Sequence, residues 1–483
     1  MQQIDIEHFS LTTQQLDSLI GEALGQGGQW ADLYFEDSRW FDLLMRDSQV
    51  SSGGMHSDFG CGIRVLCGEK TGYAYAESTD YASLLDAARC AGSIASQGSG
   101  RSLDFSLGKA PIKGVEVPPK KGYYPMEKSW DECPAAFLSS FLTRLDERIR
   151  SLDARVVKVV ASLSYSTSKV VMYNSLGELT SDFRPLGSVS VQTIFIQGGQ
   201  SRSSSVSQSF RCGAEMISDS LLENLSSRAV KNIDRLFEAR RPKGGTMSVV
   251  MKAGASGILL HEAMGHAFEA DFNRKEQSVF SSMMGKRVCR EGIKIVDDAT
   301  LPGRRGSLNY DDEGVPGQKT YMVTDGVLTS YLHDRISAAF YGVAPTGNGR
   351  RESFRYNPIP RMRATYMENG SGGASLDDLI AQVDKGVYVE EFSNGEVKIG
   401  EGDFTFYVRS GYLIENGRLT MPIKDVNVIG NGPRALSDIR EVASDLIVDN
   451  STWTCGKEQS AAVSCGMPSV LIDNLTIGGE YAD

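Results

Sequence analysis

Histidine is scarce in this sequence: five occur in 483 residues, at positions 8, 56, 261, 266 and 333. Any pair of histidines close together is therefore informative. No Cys-x-x-Cys pair occurs among the eight cysteines, at positions 61, 67, 90, 133, 212, 289, 455 and 465. They read as reduced and mostly buried thiols. No apolar run approaches the length of a membrane span, so a membrane partner is not expected. The N-terminus, MQQIDIEHFSLTTQQ, lacks a basic segment followed by an apolar stretch, so no secretory signal is read and the expected compartment is the cytoplasm. Long basic runs are also missing. Lys120-Lys121, Arg240-Arg241, Arg304-Arg305 and Arg350-Arg351 are isolated pairs, expected to be solvated or ion-paired. With 50 basic and 61 acidic residues the net charge is −11. Such a surface repels phosphate and disfavours direct nucleic-acid binding. There is no internal repeat and no low-complexity tract.

The composition that remains is that of a globular protein, 41% hydrophobic and 23% charged, and the length predicts two or more domains. Apolar spacing predicts helices over residues 11–24, with Thr12 or Thr13 as cap, and over 81–94, 134–151 and 215–238. Strand patterns fall at 31–35, 41–45, 62–66, 71–76, 156–162, 169–174 and 189–195. Beyond the Arg240-Arg241-Pro242-Lys243-Gly244-Gly245 stretch strand runs dominate, interrupted by helices around 256–270 and 376–384. The absence of a regular βαβ alternation argues against a doubly wound parallel sheet. The predicted class is α+β: an N-terminal α+β half with mixed or antiparallel sheets, then a sheet-rich C-terminal half carrying a metal-binding helix. The predicted divisions are a unit over 1–97, a connecting arm over 98–125, a second unit over 126–240 and a C-terminal domain over 241–483.

Two of the five histidines share one short segment, Ser256-Gly-Ile-Leu-Leu-His261-Glu262-Ala-Met-Gly-His266. Two imidazoles with a carboxylate beside the first is the layout of zinc peptidases, in which the Glu takes a proton from water at the metal. Histidines four apart lie about 40° apart around a helix, whereas five apart is about 140°, too splayed for a straight α-helix. A π turn, bonded i→i+5, would restore a common face, with Gly265 permitting the distortion. A catalytic zinc needs a third protein ligand. His333, Cys455, Cys465, Glu269 and Asp271 are candidates, and spacing does not choose among them.

Further segments carry a resemblance that runs close to full length. They include Asp297-Asp298-Ala-Thr-Leu-Pro302-Gly303, Asn309-Tyr-Asp311-Asp312-Glu313-Gly314, Tyr331-Leu-His333-Asp334-Arg335, Asn348-Gly349-Arg350-Arg351-Glu352-Ser353, Pro360-Arg361-Met362 and Cys455-Gly456-Lys457. With the HExxxH segment these resemble the TldD/PmbA family, also called modulators of DNA gyrase. The HExxxH motif places the chain with the TldD-like branch. The resemblance implies a zinc metallopeptidase whose metal ligands are His261, His266 and Cys455, with Glu262 as catalytic base and Cys465 structural. It implies a cavity between subunits, so a second subunit, either another copy or a PmbA/TldE-like partner, and small or unfolded peptides as substrate. His333, Arg335 and Arg351 are candidate oxyanion donors. The alternation in residues 404–408, with the Gly-rich turns around 395–402, suits either a sheet edge that captures a peptide by strand addition or an ordinary hairpin. The rival reading is a non-catalytic structural-zinc module that modulates a partner such as a topoisomerase. Structural zinc takes four protein ligands, so ligand count separates the two.

Overall fold

The computed structural model describes residues 4–96, 102–106, 122–254, 256–398 and 400–479. The N-terminal half is built on one sheet. Its strands are β1 (Trp30–Arg46), β2 (Gln49–Cys67), β3 (Lys70–Ala76), β4 (Val156–Asn174), β5 (Leu179–Gln197) and β6 (Gln200–Phe210), in the order β3-β2-β1-β4-β5-β6, all antiparallel. Strands from residues 30–76 and 156–210 therefore share one sheet, joined where β1 lies along β4 from Asp32↔Asn174 to Arg46↔Val160. The short runs read from sequence are parts of longer strands. Between them lie polar residues such as Glu36-Asp37-Ser38 and Ser164 to Ser168, which interrupt the apolar alternation without interrupting the pairing.

All four main helices cover one face of this sheet. Helix α1 (Thr13–Leu24) starts at Thr12, whose side chain accepts from the Gln15 N–H in a capping box. With α2 (Tyr81–Ser96) it packs Leu16, Leu19, Leu84 and Ala88 on Leu33, Phe35, Ile63 and Val65. Helices α3 (Ala135–Leu152) and α4 (Asp219–Val230) pack Leu138, Leu142, Leu145 and Leu225 on Leu43, Ala161, Leu163 and Val191. The single helix predicted over 215–238 is broken. Ser218 caps α4, and Asn232, at φ 77°, separates it from a short helix Ile233–Glu238. A left-handed residue cannot continue a right-handed helix.

The C-terminal half has two larger sheets. In one, strand pairings close a circuit through Gly245–Met251, Val470–Gly478, Val426–Asn431, Asp403–Glu415 and Lys385–Lys398. Residues 403–408 pair on both sides, with Lys385–Lys398 and with Val426–Asn431, so of the two readings of 404–408 the structure has the hairpin, and the strand is interior rather than an edge. The other sheet runs Val327–Leu328, Lys319–Thr324, Ile295–Asp298, Ala364–Met367, Ser464–Met467, Ile447–Asp449. The fold is α+β, and antiparallel pairing prevails throughout. No helix is long and apolar enough to cross a membrane among the described residues.

The uncovered face of the N-terminal sheet docks on the C-terminal half through buried charge. Arg64 pairs with Asp32 and, at 2.7 Å, with Glu313; Arg184 pairs with Asp312; Arg351 reaches Asp32 at 3.4 Å. Breaking one partner of a buried pair typically costs about 3–5 kcal/mol, so this seam resists opening. The connecting arm falls partly outside the described residues, at 98–101 and 107–121. Its described pieces also bridge the halves: Leu103 and Phe105 pack with Trp30 and Ile336, and the Tyr123 N–H donates to Asn309 at 2.7 Å.

Glu36 lies in the seam, accepting from Ser38 Oγ and, at 2.8 Å, from the Phe354 N–H. Burial outweighs these bonds and pushes its carboxyl up from 4.5 to about 7. A carboxyl raised on folding adds stability in full below its unfolded value, and that contribution is lost as pH rises through the folded value. Between about pH 5 and pH 8, Glu36→Gln should therefore lose less thermal stability than the parent chain. Melting curves across that interval check this, and parallel losses in both proteins would contradict it.

Candidate metal centre

The histidine segment crosses the C-terminal core with its conformation changing along the way. Gly257–Leu260 is α-helical, His261–Gly265 is a π turn, His266–Phe268 tightens to a 3-10 turn, and Ala270–Arg274 is α-helical again. The His266 N–H donates to the His261 carbonyl, the i→i+5 bond that the five-residue spacing calls for. Leu259, Leu260, Ala263, Met264 and Phe268 are buried in the core and fix the segment's rotation. Gly265 does not supply backbone freedom, since its φ of −57° is ordinary helix. It supplies room: a Cβ there would lie 2.1 Å from Met362 Sδ. Gly257 does the same against the strand Ser464–Met467, where a Cβ would meet the Gly466 nitrogen at 2.4 Å. Gly257→Ala should cost about 1–3 kcal/mol through a forced backbone shift. It should also displace the histidines, which melting curves and metal content of the variant would register together.

Cys455 arrives from a separate element, the two-stranded hairpin Thr454–Lys457 and Gln459–Ala462. Buried Arg361 anchors that hairpin, donating to the Cys455 carbonyl at 2.6 Å and to the Gln459 carbonyl. His261, His266 and Cys455 are all buried, and one potential donor atom from each lies within 4.8 Å of the others. Cys455 Sγ is 3.1 Å from His266 Nε2. The imidazole rings stand 5.2 Å apart at 80°. Burial alone would raise the Cys455 thiol. The charge of His261 and hydrogen bonds with both histidines outweigh it and bring the thiol down to about 4. Burial alone would lower His266, but Glu269 and Cys455 lift it to about 10. The soft and borderline donors of this set, two imidazoles and a thiolate, suit zinc.

Glu262 lies outside the donor group. Its Oε2 is 4.0 Å from His266 Nε2, and its side chain is 25% exposed, so the carboxylate borders both the donors and solvent. The other candidate ligands lie elsewhere. Glu269 Oε2 accepts from His266 Nδ1 at 2.9 Å, and Asp271 meets Lys457 at 2.8 Å. Cys465 pairs into the neighbouring sheet between Thr365 and Asp449, where burial pushes its thiol far up. His333 packs against Tyr341 at 5.5 Å with Nδ1 unpartnered, and burial lowers it to about 3.

Arg335 and Arg351 serve the seam rather than the donors. Arg335 lies over Trp30 at 4.7 Å, and Arg351 over Tyr34 at 4.2 Å. One arginine in each of two basic pairs also departs from the expectation of solvated or ion-paired side chains. Buried Arg305 donates to the Trp453 carbonyl and to Ser209, and buried Arg350 to the carbonyls of Met362 and Ala462. Lys120-Lys121 lies outside the described residues. Sequence reasoning missed Lys457 and Arg361 as side chains of this centre. The one available signal was their place in the Cys-Gly-Lys and Pro-Arg-Met segments.

Comparison with known proteins sets the class. Residues 244–479 match the PmbA/TldA metallopeptidase C-terminal domain, 31–95 its domain 1 and 128–237 its central domain. The Metalloprotease TldD homolog of Buchnera aphidicola subsp. Acyrthosiphon pisum is 37% identical over 99% of this chain and 96% of its own length. That of Haemophilus influenzae is 37% identical over 97% of each. The chain belongs to the PmbA/TldD metallopeptidase family. A Zinc metalloprotease TldD homolog of Saccharolobus solfataricus is 32% identical over 54% of this chain and 56% of its own length. Two solved structures share the fold. A Thermotoga maritima protein described as a candidate modulator of a DNA gyrase has a TM-score of 0.75 at 22% identity, covering 96% of this chain and 99% of its own. TldE from Thermococcus kodakarensis has 0.73 at 20%, covering 96% and 100%.

Proposed function

We propose that this chain is a zinc peptidase that hydrolyses peptide bonds in small or unfolded peptides, with His261, His266 and Cys455 holding one zinc and Glu262 acting as general base. The observation that carries the reading is the convergence of three buried donors within 4.8 Å, with the Glu262 carboxylate 4.0 Å from His266 Nε2 at their border. Three protein donors suit a catalytic zinc with an open position, where a structural zinc takes four. The zinc in the name of the Saccharolobus relative supports the choice of metal. When bound there, zinc supplies Lewis acidity to a peptide carbonyl and makes water a better acid.

The chain's own groups do the rest. Glu262, at the border of solvent and donors, takes a proton from the attacking water and returns it to the leaving nitrogen. The Cys455 thiolate lowers the net charge of the donor set and stays reduced in the cytoplasm, the proposed compartment. The substrate site is closed by a second subunit, a copy of this chain or a TldE/PmbA-like partner. The TldE structural neighbour supports the second form.

Light scattering should give at least a dimer, alone or with such a partner, and a stable monomer in both preparations would contradict the closed site. Peptidase assays after zinc reconstitution test the activity itself. Short peptides and casein-like chains should be cut well before folded proteins, and equal cleavage of folded domains would remove the unfolded-peptide assignment.

A further inference from the structure

Two charged side chains beside the donors are buried without belonging to the donor set. Glu269, fully buried, holds the His266 Nδ1 proton on its Oε2 at 2.9 Å. The Lys457 ammonium sits 3.0 Å from that same oxygen, 2.8 Å from Asp271 Oδ1 and 3.1 Å from the Pro360 carbonyl. Among the described residues Glu269 Oε1 has no hydrogen-bond partner, so Oε2 carries both contacts. Strand alternation puts Lys457 on the same buried face of its strand as Cys455. Cys455 and His266 are 189 residues apart in sequence, and the His266–Glu269–Lys457 chain ties the elements that carry them. The two histidines are held differently. Among the described residues His261 Nδ1 has no hydrogen-bond partner, whereas His266 Nδ1 is held by a carboxylate.

Burying an ammonium between two carboxylates costs desolvation that apolar residues of similar volume would avoid. Stability alone therefore does not account for the arrangement, and metal centres use such a carboxylate to set the orientation and basicity of a ligating histidine. We propose that Glu269 and Lys457 are positioning residues of the metal centre. Glu269 accepts from His266 Nδ1 and so fixes the ring with Nε2 on the side that faces Cys455 Sγ. Lys457 holds Glu269 and the Cys455 hairpin at a fixed separation, so that helix and hairpin present one preassembled donor set. This inference rests on the peptidase reading above.

Cobalt(II) titration of the full chain tests it, read by thiolate-to-metal charge transfer and d–d absorption, with circular dichroism as a check of fold. Glu269→Gln and Lys457→Met should each weaken cobalt binding by about 10–100-fold and shift the d–d bands, while Lys457→Arg recovers part of the loss. The Glu269→Gln/Lys457→Met double variant removes the charge pair together, so it separates the two roles. If the pair were only structural, the double variant would bind cobalt with the parent's affinity and spectrum, and that result overturns the positioning role while leaving the peptidase reading in place. Persistent weak binding in a folded double variant supports it. A parent chain that takes up no cobalt overturns both.

Discussion

Glu262→Gln should give a folded, zinc-loaded chain whose peptidase rate falls by about 10²–10⁴-fold, the range typical for loss of a general base. The substitution keeps the size of the side chain and removes only its ability to accept a proton. The carboxylate of Glu262 is partly exposed and stands 4.0 Å from His266 Nε2, so the isosteric amide is expected to leave the fold intact. Zinc content should survive, because the donor group is His261, His266 and Cys455. The measurement is kcat on an unstructured peptide, with zinc determined on the same sample. A parental rate would remove Glu262 as the base. Loss of zinc would instead make it a ligand.

Cys455→Ser should lose most of its zinc, by more than the 10–100-fold in affinity that changes outside the ligands typically cost. A thiol brought down to about 4 is a thiolate at neutral pH, and serine offers no anion to replace it. Cys465→Ser should keep its zinc, because that thiol lies in the sheet strand Ser464–Met467 and burial keeps it protonated. Metal analysis of both variants after reconstitution decides the point. The reverse pattern would mean that the third ligand has been assigned to the wrong cysteine.

Much of the N-terminal half is readable from periodicity, and helix α1 even from its cap, because Thr12 and Gln15 form a local motif. What periodicity misses are strands whose neighbours impose them. Strand β6 reads Gln-Ser-Arg-Ser-Ser-Ser-Val-Ser-Gln-Ser-Phe, with little apolar content, yet pairs with β5 along its whole length. In the metal centre the five-residue histidine spacing pointed to the π turn, since no straight helix satisfies it. Gly265 provides space rather than the backbone freedom expected of it: its absent side chain makes room for Met362, a residue 97 positions away that no local pattern encodes. The meeting of Cys455 with His266 is likewise a tertiary event across 189 residues. Family resemblance rather than spacing singled that cysteine out. Glu269 and Asp271 looked like ligands because they are acidic and near the motif; the structure gives their charge to Lys457 instead.

One zinc held by His261, His266 and Cys455 should suffice to make the chain a peptidase. Stripping the metal and adding zinc back stepwise, alone and with a TldE/PmbA-like partner, tests it most directly. Hydrolysis of an unstructured peptide should rise in proportion to bound zinc and level off at about one per chain, the count expected for a single site with three protein ligands. Stoichiometric zinc binding without hydrolysis in either preparation would contradict the account and favour a non-catalytic zinc module.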